Sequence, residues 1–119
     1  MALNKIVKLV HSFAENVIAQ TECIKKGDAQ TGNKHAKKYI KAFENLKNIG
    51  DEGREGLVPL LYNERDDVRA MAAAFLLRYR HEAAMKVLLE LASGDGIVAF
   101  SAGETLSRWE ENAWHLDPK

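Results

Sequence analysis

The stretch that decides the fold reads LVPLLYNERDDVRAMAAAFLLRY at residues 57–79, and its pattern returns as VLLELASGDGIVAFSAGETLSRW at residues 87–109. At an offset of 30 residues, Leu57 aligns with Val87, Val58 with Leu88 and Leu61 with Leu91. Val68 then meets Val98, Ala72 meets Ala102, Leu76 meets Leu106 and Tyr79 meets Trp109. The turn-forming runs Asn63-Glu64-Arg65-Asp66 and Ser93-Gly94-Asp95-Gly96 coincide as well. A repeat of this length that holds two helical patterns is the signature of a helical solenoid unit. An array normally needs about three units to bury a continuous core, so the residues before Gly50 must supply the missing layer.

Working outward, Leu3, Ile6, Val10, Phe13, Val17 and Ile24 fall on one helical stripe, widened by Val7, Leu9, Ala14 and Ile18. Three- and four-residue spacings predict an amphipathic helix over about residues 3–25, stopped at Gly27. Residues 27–32 read as a turn. A second helix is expected over about 33–48, with Ala36, Tyr39, Ile40, Phe43, Leu46 and Ile49 inward. Lys34, Lys37, Lys38, Lys41 and Lys47 lie mostly on its other side and form the best basic patch in the chain, able to hold phosphate or an acidic protein.

In the repeat region Asp51 is the expected N-cap. Gly53 and Gly56 weaken the first turn and Pro59 lacks an N–H, so a bent or late-starting helix is expected over about 52–62. Asp66 caps the next helix, over about 66–80, and its stripe is Val68, Ala72, Phe75, Leu76 and Tyr79. A helix from His81 turns Met85, Leu88, Leu89 and Leu91 or Ala92 inward. Asp95 caps the last helix, running to about Ala113 with Val98, Ala102, Leu106 and Trp109 inward. No alternating strand pattern occurs, and the expected fold class is all-α, six helices in antiparallel pairs.

The chain's 119 residues suit one domain with its own core. Cys23 is the only cysteine, which excludes an internal disulfide and suits a reducing cytoplasm. The N-terminal residues interleave charges with apolar groups, unlike a signal peptide, and no stretch approaches the ~18 apolar residues of a membrane span. Formal charge is zero but unevenly placed: residues 1–50 hold nine lysines and four acids, net +5, and residues 51–119 hold eight basic and thirteen acidic residues, net −5. Such polarity can orient a charged partner. The neutral total argues against general nucleic-acid binding.

The segment Asp66-Asp67-Val68-Arg69-Ala70-Met71-Ala72-Ala73-Ala74-Phe75-Leu76 resembles the second helix of a HEAT repeat, and Leu57-Val58-Pro59-Leu60-Leu61 resembles the first, where a proline bend is common. The second unit departs from the pattern, with Ala99 in place of Arg69 and Gly103 in place of Ala73. The whole chain is similar to small bacterial HEAT-like domains of unknown function, through its length, its two leading helices, the VRxxAA segment and the ending Leu106–Trp114. The resemblance implies a right-handed alpha-alpha superhelix (HEAT/armadillo-like), with two HEAT-like units over 51–113 after two leading helices over 1–50. It also implies a non-catalytic protein-binding module, most concretely an immunity protein that neutralises a bacterial toxin. A nucleic-acid-binding HEAT-like protein, using Lys34, Lys37, Lys38, Lys41 and the repeat arginines, is the alternative.

Catalytic constellations are sparse. His11 and Glu15 sit four apart, yet His35, His81 and His115 are scattered and no HExxH or CxxC occurs. Gly50–Gly56 lacks the Lys-Ser/Thr ending of a phosphate loop. Glu110 and Glu111, adjacent on a helix, point about 100° apart. Neither enzyme activity, cofactor nor metal is expected. The second helices of a solenoid often line its binding face. The candidate partner-binding residues are therefore Arg69, Arg78, Glu104, Arg108, Glu111 and Trp114, the partner another protein and the chain itself a monomer or weak homodimer.

Overall fold

The computed structural model describes residues 2–111. They form six α-helices and one short 3-10 helix: α1 (Ala2–Lys25), α2 (Ala29–Ile49), α3 (Asp51–Leu57), the 3-10 helix (Val58–Tyr62), α4 (Asp66–Leu76), α5 (His81–Ala92) and α6 (Gly96–Glu110). No strand occurs among the described residues, and no described helix is long and apolar enough to cross a membrane. The chain divides into two compact units between Val58 and Pro59, inside the first of the two aligned stretches.

In the first unit α1 packs along α2, and α3 packs on both. Ile6, Phe13 and Val17 of the α1 stripe are buried, as are Tyr39, Ala42, Phe43 and Leu46 of α2. The ends of the α1 stripe are not: Leu3 is 70% and Ile24 45% exposed. Phe13 stands edge-on to Tyr39 at a centroid distance of 5.6 Å. The Tyr39 hydroxyl donates to Gln20 Oε1 at 3.1 Å. Burial pushes its pKa up, and that hydrogen bond opposes the rise.

The second helix starts four residues before the expected Asn33. Asp28 is its N-cap and accepts the Thr31 N–H at 3.1 Å, which satisfies one of the free amides of the first turn. The Thr31 hydrogen bonds hold the Asp28 carboxyl below its ordinary value. Gly32, expected in a turn, is therefore a buried helical residue. A Cβ there would lie 3.4 Å from Cys23 Cβ, about van der Waals contact with α1.

The expected late start of the third helix is reversed. The glycine-containing residues Asp51–Leu57 are the regular α-helix, and Val58–Tyr62, around Pro59, tighten into the 3-10 form. Gly53 lies directly against the Leu46 backbone carbonyl and Gly56 against the Ile6 side chain. Close packing, not turn formation, explains both glycines. The N-cap is Gly50, at φ 109°, rather than Asp51, and Asp51 pairs with Arg54 at 3.3 Å.

In the second unit α5 packs between α4 and α6, and α4 also touches α6. Val68, Ala72, Phe75 and Leu76 are buried, with Ala84, Val87, Leu88, Leu91 and Ala102. Burial recurs at the 30-residue offset: Leu57 and Val87, Leu61 and Leu91, and Ala72 and Ala102 are all buried pairs. Leu89, expected inward, is 57% exposed. The N-cap of α4 is Arg65, not Asp66. Asp67 accepts both the Val68 N–H (2.9 Å) and a two-pronged bond from the Arg65 guanidinium (3.0 Å each). Asp95 does cap α6, though its side chain makes no capping bond.

Candidate functional site

The last described helix carries the candidate surface. Its inner side is set by Ala99 and Ala102, both buried, and by Val98, Leu106 and Trp109, which are half-buried. Trp109 lies 5.3 Å from the His81 ring at the start of α5. Helical periodicity then turns Ile97, Phe100, Glu104, Ser107, Arg108 and Glu111 to the other side. There Phe100 is 69% and Ile97 54% exposed. Phe100, Gly103, Glu104, Ser107, Arg108 and Glu111 line a shallow, open depression of about 630 Å³.

Three of the six sequence-predicted residues, Glu104, Arg108 and Glu111, thus share one helix face and one depression with an exposed aromatic ring. Arg69 and Arg78 are not among the residues that line it. Arg78 is exposed in the connection that follows α4, because α4 ends at Leu76 and not near residue 80. Trp114, like Ala113, lies outside the described residues. Arg69 is engaged within its own unit: Nε donates to the Leu61 carbonyl at 3.2 Å, and the terminal nitrogens lie 3.3 Å from Asp66 and 3.3 Å from Glu90.

The Arg69 side chain is only 20% exposed, whereas its acidic partners are 61% and 59% exposed. Those ion pairs are screened and each contributes well under ~1 kcal/mol. The bond to the carbonyl of Leu61, a residue 1% exposed, is the consequential one, since a buried acceptor left unpaired costs about 1–3 kcal/mol. An Arg69→Met variant, which keeps the apolar stem, is expected to lose about 1–2 kcal/mol. Urea unfolding would read this as a lower midpoint at unchanged slope; an unchanged midpoint would leave Arg69 without its structural role.

Phe100 was missed by sequence reasoning. It stands two residues after Val98 on the stripe 98–102–106–109, hence about 200° away from it on the helix, and an aromatic at such an off-stripe position is the signal. No group of three His, Cys, Asp or Glu residues suited to a metal ion occurs among the described residues. His11 and Glu15 do meet, at 3.3 Å, as an exposed pair on α1. The depression on α6 combines one exposed aromatic ring with two carboxylates and one guanidinium placed after it along the helix. Comparison with protein-family models, with curated proteins and with solved structures finds no match to this chain.

Proposed function

We propose that this chain is a non-catalytic, cytoplasmic protein-binding module of HEAT-like form, built as a right-handed alpha-alpha superhelix, that acts by covering a surface of its partner. A toxin domain neutralised by an immunity protein is its most concrete version. One observation carries the proposal: Phe100 is a large aromatic left in solvent, on the same helix face as Glu104, Arg108 and Glu111, which follow it along α6. Aromatic and arginine side chains at the centre of a patch, rimmed by charge, are the residue types that dominate binding energy at protein interfaces. The lone cysteine agrees with a reducing compartment, and the recurrence of burial at the 30-residue offset supports the repeat form.

The test is affinity capture with the wild-type chain and with a Phe100→Asp, Arg108→Glu double variant of unchanged helical content. The double variant is expected to lose at least tenfold in affinity for the captured protein, the scale of one or two interface hot spots. Undiminished capture would place the binding face elsewhere. Salt-dependent binding of a DNA duplex by the wild-type chain would favour the nucleic-acid alternative instead.

A further inference from the structure

The first unit carries a separate groove that the α6 surface does not use. Leu9 and Ser12 of α1 and Lys37, Lys38, Lys41, Ala42 and Asn45 of α2 line it, and it is open and shallow, with a volume of about 320 Å³. Its floor is aliphatic and every polar group on its walls can donate. Lys37, Lys38 and Lys41 make no ion pair among the described residues. They stand within about one helical turn, so their positive charges add over one short stretch of surface and favour an anion placed among them. The Ser12 hydroxyl oxygen accepts from Asn16 Nδ2 at 3.3 Å. Asn16 is itself held, donating to the Ser12 carbonyl at 2.9 Å while its Oδ1 lies 2.9 Å from His35 Nδ1. The Ser12 O–H is thereby left to donate. Asn45, half-buried, has no hydrogen-bond partner among the described residues.

We infer that this groove is a binding site for a compact oligophosphate, the phosphate chain lying across Lys37, Lys38 and Lys41 and accepting hydrogen bonds from Ser12 and Asn45. Three features choose this ligand over other anions. The cations are all lysine, point charges without the planar fork that matches a carboxylate, so an acidic peptide is the poorer fit. No aromatic side chain lines the groove on which a nucleic-acid base would stack. The run of cations is also short: from Lys34 to Lys41 it spans about 10 Å of helix, with Lys47 set apart from it beyond Glu44. Asp28 stands before it and Glu44 after it, both exposed, so a long polyanion would meet carboxylates at either end. A phosphate monoester brings too little charge to engage three lysines together; linked phosphates bring enough within the same span.

The experiment is a titration of the full chain, followed by amide NMR at low and moderate salt. Tripolyphosphate, a nucleoside triphosphate, a single-stranded oligonucleotide and a glutamate-rich peptide are added in parallel. Tripolyphosphate is expected to shift the signals of Ser12 and Asn45 and to bind at least tenfold more weakly to Lys38→Ala, Lys41→Ala. Control Lys25→Ala, Lys26→Ala should bind as the wild type does. Asn45→Ala should cost several-fold in affinity, an effect a diffuse positive field would not show. A nucleoside triphosphate matching tripolyphosphate identifies the phosphate chain as the recognised group; one that binds more tightly identifies a nucleotide as its source. The inference is overturned by absent shifts at Ser12 and Asn45, by equal losses in the control pair, or by tighter binding of the peptide or oligonucleotide at these residues.

Discussion

A Gly53→Ala substitution is expected to destabilise the first unit by about 3 kcal/mol, although the same change on an open helix surface stabilises by up to about 1 kcal/mol. The sign is decided by what the new methyl group meets. A Cβ at Gly53 would overlap the carbonyl and Cα of Leu46. Backbone inside α2 cannot move aside as a side-chain tip can, so α3 must lift off α2. Gly56 faces the Cγ2 methyl of Ile6, with Val10 Cγ2 beyond it; these are side chains of α1 and not backbone, so Gly56→Ala should cost less than Gly53→Ala, though the β-branched Ile6 yields little. At Gly103 nothing lies within 4 Å of the added atom, and Gly103→Ala should raise stability by about 0.5–1 kcal/mol. Urea midpoints followed by far-UV circular dichroism would establish the order Gly103, Gly56, Gly53 from most to least stable. A Gly53 variant as stable as the parent would mean that α3 does not sit on α2 at this distance.

The second large effect separates two phenylalanines of opposite role. Phe13 is 0% exposed and packed edge-on to Tyr39. Its replacement by alanine removes the buried ring and leaves a cavity, at a cost of about 3–5 kcal/mol. That is a large share of the ~5–15 kcal/mol that holds a typical domain folded. Phe13→Leu, which keeps most of the volume, should cost well under half as much. Phe100→Ala, at a residue 69% exposed, should change stability by less than about 0.5 kcal/mol while weakening capture of the partner protein. The two variants exchange their effects between two assays, thermal unfolding and binding. If Phe100→Ala destabilised the chain as Phe13→Ala does, the exposed ring would be a packing element and the binding face would lose its centre.

Helix number and type could be read from spacing, because apolar periodicity is a direct imprint of one-sided burial. Phe13, Val17, Phe43, Leu46, Val68, Ala72 and Leu88 were all placed inward by that argument and all are buried. The misreadings have two causes. Gly32, Gly53 and Gly56 look like helix breakers to local propensity, yet all three lie inside helices, and Gly53 and Gly56 mark a close approach between helices, a tertiary fact that no single helix encodes. Leu89 and Phe100 are apolar residues left outside, and an apolar residue does not announce which side it faces when two stripes are available. For the candidate surface, Glu104, Arg108 and Glu111 followed from helix phase alone, whereas Arg69 required knowing that the Leu61 carbonyl lies within its reach. The groove of the first unit was half legible: the lysines were evident, but Ser12 and Asn45 join them only through the packing of α1 along α2.

The main packing pairs, α1 with α2, α2 with α3, α4 with α5 and α5 with α6, all join helices adjacent in the chain. Assembly therefore needs few long loops to close before contacts begin to reward it, and chains rich in local contacts reach their native state in microseconds to milliseconds. During synthesis, at roughly 5–20 residues per second, the partners of Phe13 and Leu46 have already been made when α4 leaves the ribosome. The apolar residues that would otherwise invite association with neighbouring chains are thus hidden almost as soon as they appear.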